Sequence, residues 1–121
     1  TIDRCWLGYA DSVAIRSDGA YNRVQNCLIH HSDADQVQFY GASAKAISNE
    51  IHSGAASGVN VNSNADNSMI NDNHIYDNGG DPIYVPSSAG NCVVVGNRTD
   101  GAINFDGSGG STAAGNNEVA Y

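Results

Sequence analysis

The chain is poor in charge. Of its 121 residues 15% are Asp, Glu, Lys or Arg, and only five are cationic. A formal charge of −8 leaves no basic footprint for nucleic acid, so DNA and RNA are excluded as partners. Other polyanions are repelled unless a cation or a local basic group intervenes. With only two leucines, Leu7 and Leu28, the chain is not a leucine-rich repeat. No window sustains the i, i+3, i+4, i+7 pattern of a helix, so nothing longer than a single helical turn is expected. There is no run of roughly 18 apolar residues and no basic start followed by a hydrophobic stretch, so neither a membrane-spanning helix nor an attached signal peptide is expected. Three cysteines leave at least one thiol unpaired, and no CxxC or Cys/His metal spacing occurs.

What is present is Asn, Gly and a repeat. Fifteen asparagines and 14 glycines make the chain turn-rich, while 40% hydrophobic residues make it too apolar to be disordered. A small polar residue followed two places later by an aliphatic one recurs at Cys5 and Leu7, Cys27 and Ile29, Asn49 and Ile51, Asn73 and Ile75. It continues at Asn97 and Thr99, then Asn117 and Val119. The steps are 22, 22, 24, 24 and 20. A second alternating pair follows each of the first five anchors: Val13 and Ile15, Val37 and Phe39, Val59 and Val61, Ile83 and Val85, Ile103 and Phe105. A third zone opens on Gly, Ser and Ala and closes on an apolar residue, from Ala20 to Val24, Ala42 to Ala46, Ala65 to Ile70, Ala89 to Val94 and Ala113 to Ala114.

Alternation of period two marks half-buried strands, and a unit this short cannot bury its own apolar face. The units must therefore stack on one continuous core. The expected fold is all-β: a right-handed single-stranded parallel β-helix of about five coils, three short strands per coil, forming one domain over residues 1–121. Coils advance by about 4.8 Å each. Solenoids need polar caps, and no capping helix is legible at either end, so the expectation is a module of a longer protein or a subunit whose ends partners cover.

Stacking makes residues 22 or 24 places apart vertical neighbours. Cys5 and Cys27 should then lie about 5 Å apart, which permits a disulfide, but the expected role is that of two small buried residues continuing the column of Asn49, Asn73 and Asn97. Cys92 belongs to another column. Asn49, Asn73 and Asn97 form an amide ladder in which each side chain bonds the next and satisfies backbone groups freed at the corner. Asn97-Arg98-Thr99 is a formal glycosylation sequon, but its Asn is assigned to the buried ladder.

The interior of so narrow a coil is filled, so chemistry belongs on the outside. In each anchor strand the second and fourth residues face solvent: Trp6 and Gly8, Leu28 and His30, Glu50 and His52, His74 and Tyr76, Arg98 and Asp100. Glu50, His52, His74, Tyr76, Arg98 and Asp100 thus gather on three neighbouring coils of one face. Side chains about 5 Å apart match the repeat of a sugar chain. Trp6 either joins that face or packs against a preceding coil. His30-His31 before Asp33 and Asp35 reads as a polar bend, because consecutive strand residues face opposite sides. The runs at Asp77–Asp81 and Asp106–Gly110 have the composition of calcium loops but neither the EF-hand nor the nonapeptide pattern, and tight turns require the same residues. No metal ligands and no cofactor are assigned; Ca2+ is the one ion such loops would suit.

The Asn-x-Ile steps Asn49-Glu50-Ile51 and Asn73-His74-Ile75, with the Asp77-Asn78-Gly79-Gly80-Asp81-Pro82-Ile83 segment, give the chain a further meaning. It resembles the right-handed parallel β-helix proteins, among them pectate lyases, alginate epimerases and lyases, and bacteriophage tail-spikes. The resemblance implies an extracellular or virion-surface protein with a polysaccharide as partner, and a homotrimer if it is tail-spike-like. In the epimerases and lyases an Arg neutralises the uronate carboxylate while His and Tyr remove and return the C5 proton. By type and face those catalytic roles fall on Arg98, on His52 or His74, and on Tyr76, with Trp6, Glu50 and Asp100 binding substrate. The epimerases' Asp-Pro-His-Asp signature is absent, since Asp81-Pro82 is followed by Ile83 and Tyr84. The other expectation is a non-enzymatic assembly module of a fibre or tail-spike.

Overall fold

The computed structural model describes residues 1–118. Val119, the second half of the sixth anchor, and Tyr121 lie outside the described residues. Three parallel sheets wind around one core. The anchor sheet is built from β2 (Trp6–Gly8), β5 (Leu28–His30), β8 (Glu50–His52), β11 (His74–Tyr76), β14 (Arg98–Thr99) and β17 (Asn117–Glu118). The middle sheet holds β3 (Ile15–Ser17), β6 (Val37–Phe39), β9 (Val59–Val61), β12 (Ile83–Val85) and β15 (Asn104–Phe105). The closing sheet holds β1 (Ile2–Asp3), β4 (Arg23–Gln25), β7 (Lys45–Ile47), β10 (Met69–Asn71), β13 (Val93–Val95) and β16 (Thr112–Ala114). Every strand pairs in parallel with its counterpart one coil away, as in Ile29↔Ile51 and Ile51↔Ile75. Three strands per coil and about five coils are what the repeat predicts.

Period-two burial builds the core. Ile29, Ile51 and Ile75 enter it from the anchor sheet, Val37, Phe39, Val59, Val61, Ile83 and Val85 from the middle sheet, and Val24, Ala46, Ile70 and Val94 from the closing sheet. Corners are made by residues in the left-handed region: Asn26, Ser48, Asp72 and Gly96 before the anchor strands, Tyr9, His31, Ser53 and Asp77 after them, and Tyr21, Ser43, Asn67 and Asn91 before the closing strands. Gly96, at φ 68, is the residue type that takes this conformation without steric cost.

The amide ladder stands at the first of these corners. Asn49 Nδ2 donates to Val24 O at 3.0 Å and to Asn73 Oδ1 at 3.0 Å, and Asn73 Nδ2 donates to Ala46 O at 2.9 Å and to Asn97 Oδ1 at 2.9 Å. The backbone N–H groups of Asn49 and Asn73 donate to the next amide oxygen, at 2.9 and 3.0 Å. The sixth member is Asn116, not Asn117: Asn97 Nδ2 donates to Asn116 Oδ1 at 3.0 Å, while Asn117 stands outward in register with Arg98. Two adjacent asparagines left the choice open to a reading by residue type alone. The first middle strand is also displaced by two from the expected pair. Ile15 and Ser17, not Val13 and Ile15, stack on Val37 and Phe39.

Cys27 continues the column, and its thiol and that of Cys5 are both free. Cys5 N–H reaches Cys27 Sγ at 3.5 Å, a weak contact beside the 3.0 Å bond from Cys27 N–H to Asn49 Oδ1. An amide at position 27 would accept from Cys5 N–H and donate to Ile2 O, which the thiol meets only at 3.8 Å. Cys27→Asn is therefore expected to stabilise the fold by about 1 kcal/mol, read as a higher midpoint in urea unfolding.

Candidate functional site

Register fixes the outward side of the anchor sheet. Trp6, Leu28, Glu50, His74 and Arg98 form one column, and Gly8, His30, His52 and Tyr76 the other. Of the sequence-derived group, Glu50, His52, His74, Tyr76 and Arg98 are therefore brought together on one face. Trp6 points outward and is 76% exposed, on the column of Glu50 and His74. Asp100 is turned toward the bend, where its Oδ2 accepts from Asp77 N–H at 2.6 Å.

The second column is a stack of rings. His30 lies on His52 with centroids 5.5 Å apart and planes within 12°, and His52 lies on Tyr76 at 4.8 Å and 12°. His74 leans on Tyr76 at 4.6 Å. Tyr76 donates its hydroxyl proton to Glu50 Oε1 at 2.7 Å, tying the two columns together. His52 Nδ1 meets Ser53 Oγ at 2.9 Å. Burial pushes the His52 pKa below its usual value, helped by His30 and His31, while Glu50 and Asp77 pull the other way. A neutral imidazole in contact with a phenol that is bonded to a carboxylate is equipped to take and give protons.

The first coils hold what the sequence reading missed. His30 is outward yet only 8% exposed, because Trp6, Tyr9, His31 and His52 surround it. Trp6 Nε1–H donates to His30 Nε2 at 2.6 Å, and His30 Nδ1 meets His31 Nδ1 at 2.7 Å. An indole N–H only donates, so His30 Nε2 is an acceptor. A neutral His30 then carries its proton on Nδ1 and gives it to His31, whose own proton sits on Nε2. The expectation that adjacent histidines face opposite sides fails at His31, whose φ of 54° ends the strand alternation and swings the ring back beside His30. Aligning the repeats would have revealed it, since Tyr9, His31, Ser53 and Asp77 all follow their anchor strands directly.

Gly8 makes room for this cluster: a Cβ there would run into the His30 ring. Gly8→Ala is expected to displace that ring, break the indole bond and shift the emission of the chain's only tryptophan, with far-ultraviolet circular dichroism unchanged. Beside the rings, at the bend between the anchor and middle sheets, runs an open groove of about 680 Å³ spanning four coils. Its walls carry Tyr9, Asp11, His31, Asp33, Asp77 and Asn78. Tyr9 stacks on His31 at 4.9 Å and is itself 76% exposed.

A family model described as right handed beta helix region matches residues 1–118. The chain belongs to the right-handed β-helix family. No curated protein and no solved structure matches it. Among the described residues of this β-helix no group of three or more His, Cys, Asp or Glu is arranged to hold a metal ion, and no helix is long and apolar enough to cross a membrane. Asn97, the Asn of the sequon, is fully buried in the ladder and so is no acceptor.

Proposed function

We propose that this β-helix binds an extended polysaccharide across the outward side of the anchor sheet and processes it by proton transfer at His52 and Tyr76. The observation that carries the reading is the contact of three ionisable groups from two neighbouring coils: the Tyr76 hydroxyl bonded to Glu50 at 2.7 Å, with its ring against His52. His52 removes a proton and Tyr76 returns one, with Glu50 orienting the phenol. Arg98, in register with His74 one coil away, offsets the carboxylate of a uronate unit, without which removing the neighbouring proton is too costly. Trp6 offers an exposed ring, and the carboxylates of Asp11, Asp33 and Asp77 along the groove accept sugar hydroxyls. Polymers of this kind lie outside cells, which makes an extracellular or virion-surface location part of the proposal.

The test is incubation with a panel of uronate-containing and neutral polysaccharides. Absorbance of unsaturated ends reports a lyase, reducing sugar a hydrolase, and proton NMR an epimerase. A second reading, an assembly module that is trimeric if it is fibre-like, is favoured by one observation: Ile47, Met69, Val93 and Val95 face outward on three successive coils of the closing sheet. No binding and no turnover, with a defined oligomer that dissociates when Trp6 or Tyr76 is replaced, would decide for assembly.

A further inference from the structure

Two of the chain's five cationic residues sit side by side on a different face. Arg23 and Lys45 are in direct register on β4 and β7, both outward and both half-buried. Like charges directly opposite in a sheet destabilise it. Among the described residues neither forms an ion pair; Arg23 Nη1 reaches only the neutral Gln25 Oε1, at 3.4 Å. Asp66, whose backbone carbonyl accepts from Ser43 N–H at 2.7 Å, accepts from Gly90 N–H through its Oδ1 at 2.7 Å. The two cations line a groove of about 490 Å³ with Ser43, Asn67, Met69 and Tyr21, the last 83% exposed.

We infer that this groove is a second saccharide site, selective for sugars bearing an oxyanion. Arg23 and Lys45, about 5 Å apart across the pair, hold a carboxylate between them, and Tyr21 lies against the apolar face of the pyranose ring. Ser43 and Asn67, on the two coils beside Tyr21's corner, supply a hydroxyl and an amide for ring hydroxyls. A protein of net charge −8 repels an anionic polymer at long range. A local cation pair is what gives such a polymer a place to dock. Nucleic acid, which needs phosphates neutralised over many residues, finds no such stretch.

The experiment uses the whole chain and a trisaccharide of hexuronic acid, followed by amide chemical shifts. The neutral hexose trisaccharide of the same linkage, inorganic sulfate and hexaglutamate are titrated in parallel. The uronate is expected to shift residues 21–25 and 43–45, and to bind at least tenfold more tightly than the other three. Arg23→Gln and Lys45→Gln should each weaken it at least fivefold, and Tyr21→Ala should weaken the uronate but not sulfate. Equal binding of the neutral sugar, equal binding of sulfate or hexaglutamate, or full affinity in both Gln variants would each overturn the proposal. The site shares no residue with the His52 face, so His52→Ala should leave this titration unchanged, and failure of polysaccharide turnover has no bearing on it.

Discussion

Asn73→Ala is expected to lower the unfolding free energy by about 3 kcal/mol, the upper end of what an orphaned buried polar group costs. The size follows from counting what the side chain satisfies. Its oxygen accepts from the backbone N–H and the side-chain amide of Asn49, at 2.9 and 3.0 Å, and its nitrogen donates to Ala46 O and Asn97 Oδ1, both at 2.9 Å. Truncation leaves the Asn49 backbone N–H without its acceptor and removes the amide donor from Ala46 O. It takes one of two bonds from the Asn49 side-chain amide, which keeps Val24 O at 3.0 Å, while Asn97 Oδ1 keeps one bond, from Asn73 N–H at 3.0 Å. Each orphaned group costs about 1–3 kcal/mol, reduced where the coil relaxes. Asn73→Asp should be at least as damaging, since a carboxylate has no proton for Ala46 O and brings a buried charge against Asn97 Oδ1. Urea unfolding of the two variants beside the parent checks both. A loss below about 1 kcal/mol in each would mean that the column is tolerated by the corner and does not hold it.

That column was legible in the sequence because the fold demands one residue type at one place in every coil. A corner that frees a carbonyl and an N–H on successive coils is satisfied by an amide and by little else, so Asn49, Asn73 and Asn97 recur. The same logic found the outward face: once register follows from the period, Glu50, His52, His74, Tyr76 and Arg98 must be neighbours. What the sequence concealed sits where a local rule gives way. Ser17 is buried, with its Oγ accepting from Asn22 Nδ2 at 2.9 Å, and a polar residue turned inward does not look like core. The last coil advances the ladder by 19 residues, to Asn116, a shortening that only the geometry of the Gly96 and Gly115 corners resolves. His31 depended on a left-handed φ, and the groove depended on how four bends lie side by side. The bends vary in sequence from Tyr9-Ala10-Asp11 to Asp77-Asn78-Gly79, so no shared pattern announces a common wall.

Replacing His52 by Ala should reduce kcat on the polysaccharide that is turned over by roughly 10²- to 10⁴-fold, the range that loss of a positioned acid or base produces. Tyr76→Phe separates chemistry from packing. It keeps the ring against His52 but removes the 2.7 Å bond to Glu50, so kcat should fall with KM little changed. The pH profile supplies the sign. Burial holds the His52 pKa below its ordinary 6.5, so the free base persists into mildly acid solution and the acidic limb of kcat/KM should lie below pH 6.5 in the parent. Stability follows the same proton. The unfolded chain binds it more readily than the folded one, so this contribution is complete above the unfolded value and is lost as pH falls toward the folded one. His52→Gln removes that proton uptake, and its stability should therefore fall less than the parent's between pH 7 and pH 5. An acidic limb that stays in place when His52 is gone would assign the base to another group on this face, with His74, tilted against the same phenol at 4.6 Å, the next residue to replace.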